Sequence, residues 1–171
     1  MNPILTNSKP LLVTGAAGFI GARFVESCNL KQIPVVSVDE LSCFKERKEI
    51  CNFDFGKKIA IDQLFNEIDN HQFQGIVHLG ACSDTTEMNL EKLNYLNIEY
   101  SQKLWNFAQK NNLPFIYASS AATYGDGSFG FNDNESEINQ LKPLNPYGES
   151  KKTFDLWALE QEKQGQSPSH W

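Results

Sequence analysis

A glycine-rich segment near the N-terminus constrains the fold more than any other feature of this sequence. It reads TGAAGFIG over residues 14–21 and directly follows the apolar run KPLLVT at residues 9–14. Beyond it, Ile20, Phe24 and Cys28 recur at i, i+4 and i+8, a spacing that predicts one face of a helix. The segment therefore predicts a strand, a tight glycine turn and a helix in immediate succession.

Each glycine of this turn has a predicted purpose. Gly15 can adopt a tight turn that a Cβ would resist, Gly18 lets backbone amides approach a pyrophosphate, and Gly21 lets the helix pack closely on the strand. The free N–H groups and the dipole at a helix N-terminus then favour phosphate charge. The string alone is weak evidence, since a turn can serve packing only, but its place between a strand and a helix is specific.

An acidic pair follows the next apolar run, PVVSV at residues 34–38. Asp39 stands where a carboxylate can accept hydrogen bonds from the ribose hydroxyls of a dinucleotide, and Glu40 adds a second carboxylate. Two negative charges disfavour a 2′-phosphate and so favour NAD. Three basic residues follow in one short loop: Lys45, Arg47 and Lys48. They are either a clamp for a 2′-phosphate or a solvated loop, so the choice between NAD and NADP stays open.

Strand and helix patterns alternate along the rest of the chain. We predict further strands at residues 75–79 and 114–119, a short one near 50–53, helices over 59–70, 93–108 and 145–163, and a long loop over 125–146. Such alternation is typical of a Rossmann-type α/β fold, a doubly wound parallel sheet with helices on both faces. We expect one dinucleotide-binding domain over residues 1–165 and a short tail over 166–171.

Composition excludes several function classes. A net charge of −6 and a pI of about 5.1 argue against a dedicated nucleic-acid binder. The sequence has no apolar run of the roughly 18 residues that a membrane helix needs, and no secretory signal. The four cysteines show no zinc-ligand spacing, so we expect no metal and predict reduced thiols in a cytoplasmic protein.

A second group of chemically capable residues lies in the C-terminal third. Tyr147 and Lys151 are four positions apart, which places them on one helix face. An ammonium beside a phenol lowers the pKa of the phenol from about 10 toward neutrality. Such a tyrosine can exchange a proton with a sugar hydroxyl while hydride passes to a nicotinamide. A serine-rich segment, SSAATYG at residues 119–125, follows the predicted strand and can hydrogen-bond the reacting oxygen.

Three longer segments make the resemblance specific: HLGACSDTTE at residues 78–87, YASSAATYG at 117–125 and KPLNPYGESK at 142–151. With the glycine turn, they resemble the extended short-chain dehydrogenase/reductase family, and within it the epimerases of ADP-heptose in lipopolysaccharide precursor synthesis. The similarity extends from about residue 11 to 163. It implies a nicotinamide cofactor and a nucleotide-sugar substrate. It also implies NADP rather than NAD.

The resemblance implies a role for individual residues. Phe19 and Ile20 would lie against the pyrophosphate, Asp39 and Glu40 at the adenosine ribose, and Arg47 at the 2′-phosphate. The middle of the cofactor would be lined by Leu79, Gly80, Ala81, Cys82, Ser83 and Asn97. The catalytic serine, tyrosine and lysine positions would be taken by Ser120, Tyr147 and Lys151, the last two also touching the cofactor. Sugar contacts would come from Ser83, Ser120 and Thr123.

The chain is shorter than the members of this family. Their small C-terminal substrate domain and a second acid/base lysine have no match here, which implies a truncated chain that is inactive by itself. Intact members would be homo-oligomers. Two alternatives remain: another nucleotide-sugar epimerase or dehydratase, such as a UDP-hexose 4-epimerase, and a catalytically silent dinucleotide-binding fragment.

Overall fold

The computed structural model describes residues 8–169, so the ends of the predicted domain and tail, residues 1–7 and 170–171, lie outside it. The described chain divides into two compact units. The first unit contains residues 8–80 together with Leu113–Ile116, and the second contains Ala81–Asn112 together with residues 117–169.

The first unit is organised by a sheet. Its strands are β1 (Leu11–Thr14), β2 (Val35–Val38), β3 (Lys57–Ile59), β4 (Gly75–His78) and β5 (Phe115–Tyr117), in the order β3-β2-β1-β4-β5. The pairs of β1 with β2, β1 with β4 and β2 with β3 are parallel. The strand order reverses between β1 and β4, the point at which doubly wound sheets bind ligands. The predicted Rossmann-type parallel sheet is confirmed.

The central strands are buried along their whole length. Every residue of β1, β2 and β4 is buried, which explains why these strands read as continuous apolar runs rather than as an alternating pattern. The helix α1 (Phe19–Leu30) buries Gly21, Ala22, Val25 and Cys28, and the last two belong to the same apolar core as Leu11 and Val35. The predicted strand, glycine turn, helix and strand are confirmed with boundaries within two residues.

The sequence prediction was wrong for two segments, residues 50–53 and residues 59–70. Residues 50–53 are not a strand: a 3-10 segment, Lys48–Ile50, follows the short α2 (Cys43–Glu46), and the edge strand is β3. Phe53 and Phe55 pack on the core from irregular backbone, so their apolar character does not reflect a strand. Gly56, with a φ of +57°, then turns the chain into β3.

The predicted helix over 59–70 is three short segments. Ile59 closes β3, and the rest is divided into 3-10 turns at Ile61–Gln63 and Ile68–Asn70 on either side of α3 (Leu64–Glu67). The apolar positions Leu64 and Ile68 are buried, as a helix face would be. Burial at helical spacing was therefore predicted correctly, while the length of the helix was not.

The second unit is helical. It contains α4 (Leu90–Leu93), a π-helical segment (Asn94–Glu99) and α5 (Tyr100–Lys110), which run on without a break. The predicted helix over 93–108 lies within these segments, and its apolar residues Leu93, Tyr100, Leu104 and Ala108 are buried. The π-helical segment was not predicted; such segments are rare and occur frequently at functional sites.

The longest helix, α6 (Pro146–Lys163), begins as its sequence indicates. Asn145 accepts a hydrogen bond from the Gly148 N–H at 2.7 Å, and Pro146 occupies the first turn. Phe154 and Ala158 are buried as predicted, whereas Trp157 is only half-buried, stacked on Phe154 with ring centroids 5.7 Å apart. The N-terminal turn of α6 is thus fixed by a cap and its middle by aromatic packing.

The predicted loop over 125–146 contains one regular segment, a 3-10 turn at Glu135–Gln140 capped by the Asn134 side chain. The described part of the tail is packed on the second unit: the Trp105 indole donates to the Gln166 carbonyl at 3.0 Å, and the Ser169 hydroxyl lies 2.7 Å from the Asn112 side-chain oxygen. Among residues 8–169, no helix is long and apolar enough to cross a membrane.

Candidate functional site

The glycine turn of the first unit is a place of close backbone approach. Gly15 has a φ of +65°, and a Cβ on it would lie 2.6 Å from the backbone nitrogen of Gly80, just beyond β4. A Cβ on Gly21 would overlap the carbonyl oxygen of Gly15. A Cβ at Gly18 would lie 3.1 Å from that same oxygen. The turn therefore has no room for a side chain at Gly15 or Gly21, and only a tight fit at Gly18.

The N-terminus of α1 offers its backbone amides without a side-chain cap. Gly18 is the N-cap residue, no side chain hydrogen-bonds there, and the first turn of this twelve-residue helix contains no acidic residue. Phe19 and Ile20 are 77 % and 64 % exposed, although both are large and apolar. This end of the helix combines a positive dipole end with an apolar surface.

Asp39 and Arg47 both contact the glycine turn, and both do so at Ala17. One carboxylate oxygen of Asp39 accepts from the Ala17 N–H at 2.8 Å, and the other accepts from the Glu40 N–H at 2.8 Å. The Arg47 guanidinium donates to the Ala17 carbonyl and pairs with Glu49 at 3.0 Å. The predicted ribose carboxylate and the predicted phosphate ligand are therefore neighbours at one point of the turn.

The chain at the end of β4 is hydrogen-bonded to the end of β1. The buried Thr14 hydroxyl lies 2.6 Å from the His78 ring, and the Gly80 N–H donates to the same hydroxyl at 3.1 Å. Leu79 donates its N–H to the Thr14 carbonyl at 3.1 Å. His78 is 3 % exposed, so its ring is packed inside the unit.

Tyr147 and Lys151 are both buried on α6 in the second unit. Lys151 is 4 % exposed, and this burial lowers the pKa of its ammonium, while the negative charge of Asp155 opposes the shift. A lysine this deeply buried is unusual and is a frequent mark of a functional site. The predicted pair is therefore inside the unit rather than on a solvated helix surface.

Ser120 begins the short 3-10 turn Ala121–Tyr124. Its hydroxyl oxygen accepts from the Ala122 N–H at 3.1 Å, which leaves the hydroxyl proton available for donation. Thr123 donates its hydroxyl to the Ser120 carbonyl at 2.7 Å and is buried, so it supports the turn. The turn thereby fixes the direction of the serine.

Asn97, in the π-helical segment, joins three parts of the second unit. Its side-chain oxygen accepts from the Cys82 N–H at 2.8 Å, and its amide nitrogen donates to the Cys82 carbonyl at 3.0 Å and to the Ser150 hydroxyl at 2.9 Å. Ser150 in turn donates to the Tyr147 carbonyl at 2.7 Å. Asn97 is fully buried, and its side chain ties the segment at Cys82 to the turn of α6 that bears Tyr147.

Asp155 is a functional candidate that sequence reasoning missed. It follows Lys151 by one helical turn and is 7 % exposed, and it accepts hydrogen bonds from the hydroxyls of Tyr117, at 2.9 Å, and Ser119. Its signal in the sequence was the spacing i, i+4, i+8 from Tyr147, which puts a carboxylate on the buried face beside Phe154.

A cavity of about 460 Å³ opens in the second unit beside the serine turn. Its walls include Ser119, Ser120, Thr123, Tyr124, Asp133 and Asp155. Three other predicted positions do not line this cavity: Ser83 and Glu40 are exposed, and Ala81 is half-buried. The predicted residues thus form two groups, one around the glycine turn and one around α6.

A family model for the NAD dependent epimerase/dehydratase family, named Epimerase, matches residues 11–169. The chain belongs to this family. The match covers nearly all of the described residues and both groups of the candidate site.

Relatives in the family are similar along most of the chain. It is 40 % identical over 168 residues to the ADP-L-glycero-D-manno-heptose-6-epimerase of Fusobacterium nucleatum, covering 94 % of this chain and 50 % of the relative. It is 41 % identical over 152 residues to the enzyme of the same name from Nitratidesulfovibrio vulgaris, covering 86 % and 47 %. The chain thus spans about half the length of these curated relatives.

Solved structures of family members have the same architecture. A Helicobacter pylori ADP-L-glycero-D-manno-heptose-6-epimerase superposes with a TM-score of 0.72 at 26 % identity, covering 90 % of this chain and 51 % of that one. A Thermotoga maritima UDP-glucose 4-epimerase, solved with UDP-glucose, gives 0.73 at 26 % identity, covering 91 % and 52 %. The fold is therefore shared by epimerases of different sugars and does not by itself select the sugar.

Proposed function

We propose that this chain supplies the cofactor-binding and proton-transfer residues of an epimerase that inverts C6″ of ADP-heptose through transient hydride transfer to a nicotinamide. The burial of Tyr147 and Lys151 on one helix of a family member carries the proposal. The names of the relatives near 40 % identity support ADP-heptose as the sugar nucleotide. Free cysteines along the chain accord with a reducing, cytoplasmic location.

The residues of the first unit fit a dinucleotide. The start of α1 has a glycine cap and neither a side-chain cap nor an acidic residue, so its amides suit a pyrophosphate. Phe19 and Ile20 would cover the pyrophosphate with their exposed side chains, and Asp39 would receive the ribose hydroxyls. Leu79 and Gly80, held against Thr14, would face the middle of the cofactor.

We assign NADP rather than NAD as the cofactor. Arg47 lies at the glycine turn beside Asp39, where a guanidinium can form paired hydrogen bonds with a 2′-phosphate. The exposed Lys45 and Lys48 add positive charge to the same loop. Asp39 and the exposed Glu40 oppose a phosphate, so NAD is the alternative that a titration must exclude.

Proton transfer belongs to the second unit. A bound nicotinamide would supply the hydride acceptor and donor for the sugar carbon. Tyr147 would take the proton of the sugar hydroxyl on its phenolic oxygen and return it after the face of the carbon has changed. Ser120 would donate its hydroxyl proton in a hydrogen bond to the same sugar oxygen, and Lys151 would supply positive charge beside Tyr147.

The other residues predicted from the sequence would act around these groups. Cys82, held by Asn97, would line the cofactor together with Ala81 and Ser83, and Ser83 and Thr123 would stand near the sugar. Thr123 would act on the sugar through Ser120, because its hydroxyl donates to the Ser120 carbonyl.

A 4-epimerase of a UDP-sugar is the second candidate, because the Thermotoga maritima enzyme shares the fold equally well. A dinucleotide-binding chain without turnover is the third, because the chain spans about half the length of its relatives.

One experiment separates the three. Purified protein is titrated with NADP and NAD by calorimetry, then assayed for stereochemical change of ADP-heptose and of UDP-glucose. Tighter binding of NADP than of NAD is the expected result, and any turnover that the chain shows is expected to be inversion of ADP-heptose at C6″. Turnover of UDP-glucose alone would select the 4-epimerase, and cofactor binding without turnover of either sugar would select the silent module.

A further inference from the structure

Asp155 is a buried carboxylate to which the proposed reaction assigns no role. Its oxygens receive the hydroxyls of Tyr117 and Ser119, which follow one another closely at the end of β5, while Asp155 itself is on α6. Within the second unit it therefore joins the segment that leads to Ser120 to the helix that carries Lys151.

Burying a carboxylate is unfavourable unless it is hydrogen-bonded or paired. Burial raises the pKa of Asp155, and the hydroxyls of Ser119 and Tyr117 and the charge of Lys151 oppose that rise. Tyr117 is affected in turn, since burial and the charge of Asp155 raise its own pKa. A phenol that stays protonated always donates its hydroxyl, so Tyr117 is a constant partner of Asp155. The other partner, Ser119, is adjacent in the chain to the proposed catalytic residue Ser120.

The consequence for the site follows from the chain itself. Ser119 directly precedes Ser120, whose hydroxyl and carbonyl oxygens accept from the N–H groups of Ala122 and Thr123, each at 3.1 Å. Ser119 is exposed at the cavity wall, so its hydroxyl bond to Asp155 is the contact that fixes it to α6. Losing that bond frees Ser119, the residue directly before Ser120, at which the turn begins.

We propose that Asp155 is a positioning residue, which holds Ser120 at its place beside α6 by hydrogen-bonding the hydroxyls of Ser119 and Tyr117. The catalytic consequence rests on the proposed function. The positional part does not, because it concerns the order of the serine turn and is measurable without turnover.

The test uses Asp155→Asn, which keeps the shape and one acceptor but removes the charge. Glu160→Gln is the matched control, because Glu160 is also a carboxylate of α6 that accepts a side-chain hydrogen bond, that of Gln164 at 2.8 Å, but is exposed. Ala158→Gly, on the same helix, is a control that lowers stability without touching the turn. Hydrogen exchange at the Ala122 and Thr123 amides is measured for all of them, with kcat and KM for ADP-heptose.

Asp155→Asn is expected to speed exchange at these two amides about tenfold and to lower kcat about tenfold with KM changed less than twofold. Both controls are expected to leave the two exchange rates and kcat unchanged. Equal exchange in Asp155→Asn and the native chain would overturn the proposal. So would unchanged kcat in a protein that turns over, since a merely structural residue alters stability alone.

Should Asp155→Asn fail to fold, Ser119→Ala replaces it, because that change removes one hydroxyl and leaves the carboxylate its Tyr117 partner. It is expected to speed exchange at the same amides, and unchanged exchange would again overturn the proposal. Absence of turnover in the native chain would refute the proposed function only, and the exchange rates would then decide this inference by themselves.

Discussion

The two groups of candidate residues differ in whether the backbone or the side chains supply the contacts. Around the glycine turn, the first unit offers backbone: a glycine cap, a close approach of Gly15 to Gly80, and carboxylate and guanidinium contacts that end on Ala17. Around α6, the second unit offers side chains, several of them polar and buried. The group in the first unit thus depends on the absence of side chains, and the group in the second unit depends on hydrogen bonds between buried side chains.

This difference determines how each group can be damaged. A backbone site fails when an atom is added, because the neighbouring chain has no room to move. A buried polar site fails when an atom is removed, because the partner left behind is buried without a hydrogen bond. Substitutions that add one methyl group to the first unit or delete one polar group from the second therefore test the comparison, and we order them by the expected change in the free energy of unfolding.

Gly21→Ala is expected to have the largest effect. Its Cβ would overlap the Gly15 carbonyl oxygen, which belongs to the backbone and cannot rotate away. We expect the free energy of unfolding, measured in urea, to fall by about 3 kcal/mol or more. The control is Gly130→Ala, where no atom lies within 4 Å of the added Cβ and only the φ of +81° costs about 1 kcal/mol. Equal losses in the two variants would show that the turn is not sterically closed.

Asn97→Ala tests the second unit by removal. The backbone N–H and carbonyl of Cys82 and the hydroxyl of Ser150 would each lose a buried partner. We expect a loss of about 2 to 3 kcal/mol in urea unfolding. Ser150→Ala is the milder comparison, at about 1 kcal/mol, because it leaves both bonds to Cys82 in place. A smaller loss for Asn97→Ala than for Ser150→Ala would contradict the role of the asparagine as the centre of the network.

The same contrast explains what could be predicted from the sequence. The glycine turn, α1 and Asp39 are close in sequence, and each has a residue type that the local backbone requires, so they could be placed correctly. Tyr147 and Lys151 could be assigned to one helix face because one helical turn separates them. These are short-range regularities, and sequence patterns report them directly.

What the sequence did not reveal depends on residues far apart in the chain. Asn97 meets Ser150 across 53 positions, and Asp155 meets Ser119 across 36. A polar residue in an apolar stripe signals burial, but its partner is set by tertiary packing. The errors between residues 50 and 70 have a related cause. Phe53 and Phe55 are apolar residues that pack on the core, and they do not belong to a strand.

Lys151 is expected to give the second unit a pH dependence. Burial lowers the pKa of Lys151 in the folded state, so between that value and the unfolded value near 10.4 the unfolded chain binds more protons. Stability from this residue therefore rises with pH across that window, by at most about 1.4 kcal/mol per pH unit. Lys151→Met should remove this rise, as measured by urea unfolding at several pH values.

Lys151→Arg is the companion variant, because it keeps a buried positive charge at every pH. We expect it to be less stable than Lys151→Met throughout the alkaline range. An unchanged slope in Lys151→Met would mean that burial of this ammonium does not control the titration.

Asp155 acts in the opposite sense at acid pH. Its pKa is raised, so its contribution to stability is greatest below about 3.9 and is lost as pH rises through the pKa of the folded state.

Arg47→Ala is expected to change stability least. Its pair with Glu49 is on the surface, where such pairs contribute little to stability, and the lost hydrogen bond to the Ala17 carbonyl costs about 1 kcal/mol, while the Ala17 N–H keeps its bond to Asp39. Its effect should appear in binding instead: affinity for NADP falls about 10- to 100-fold while affinity for NAD changes less than twofold. Lys45→Ala, in the same loop but exposed, should alter neither by more than about threefold. Equal losses for both cofactors would mean that Arg47 serves the glycine turn through Ala17 and does not recognise the 2′-phosphate.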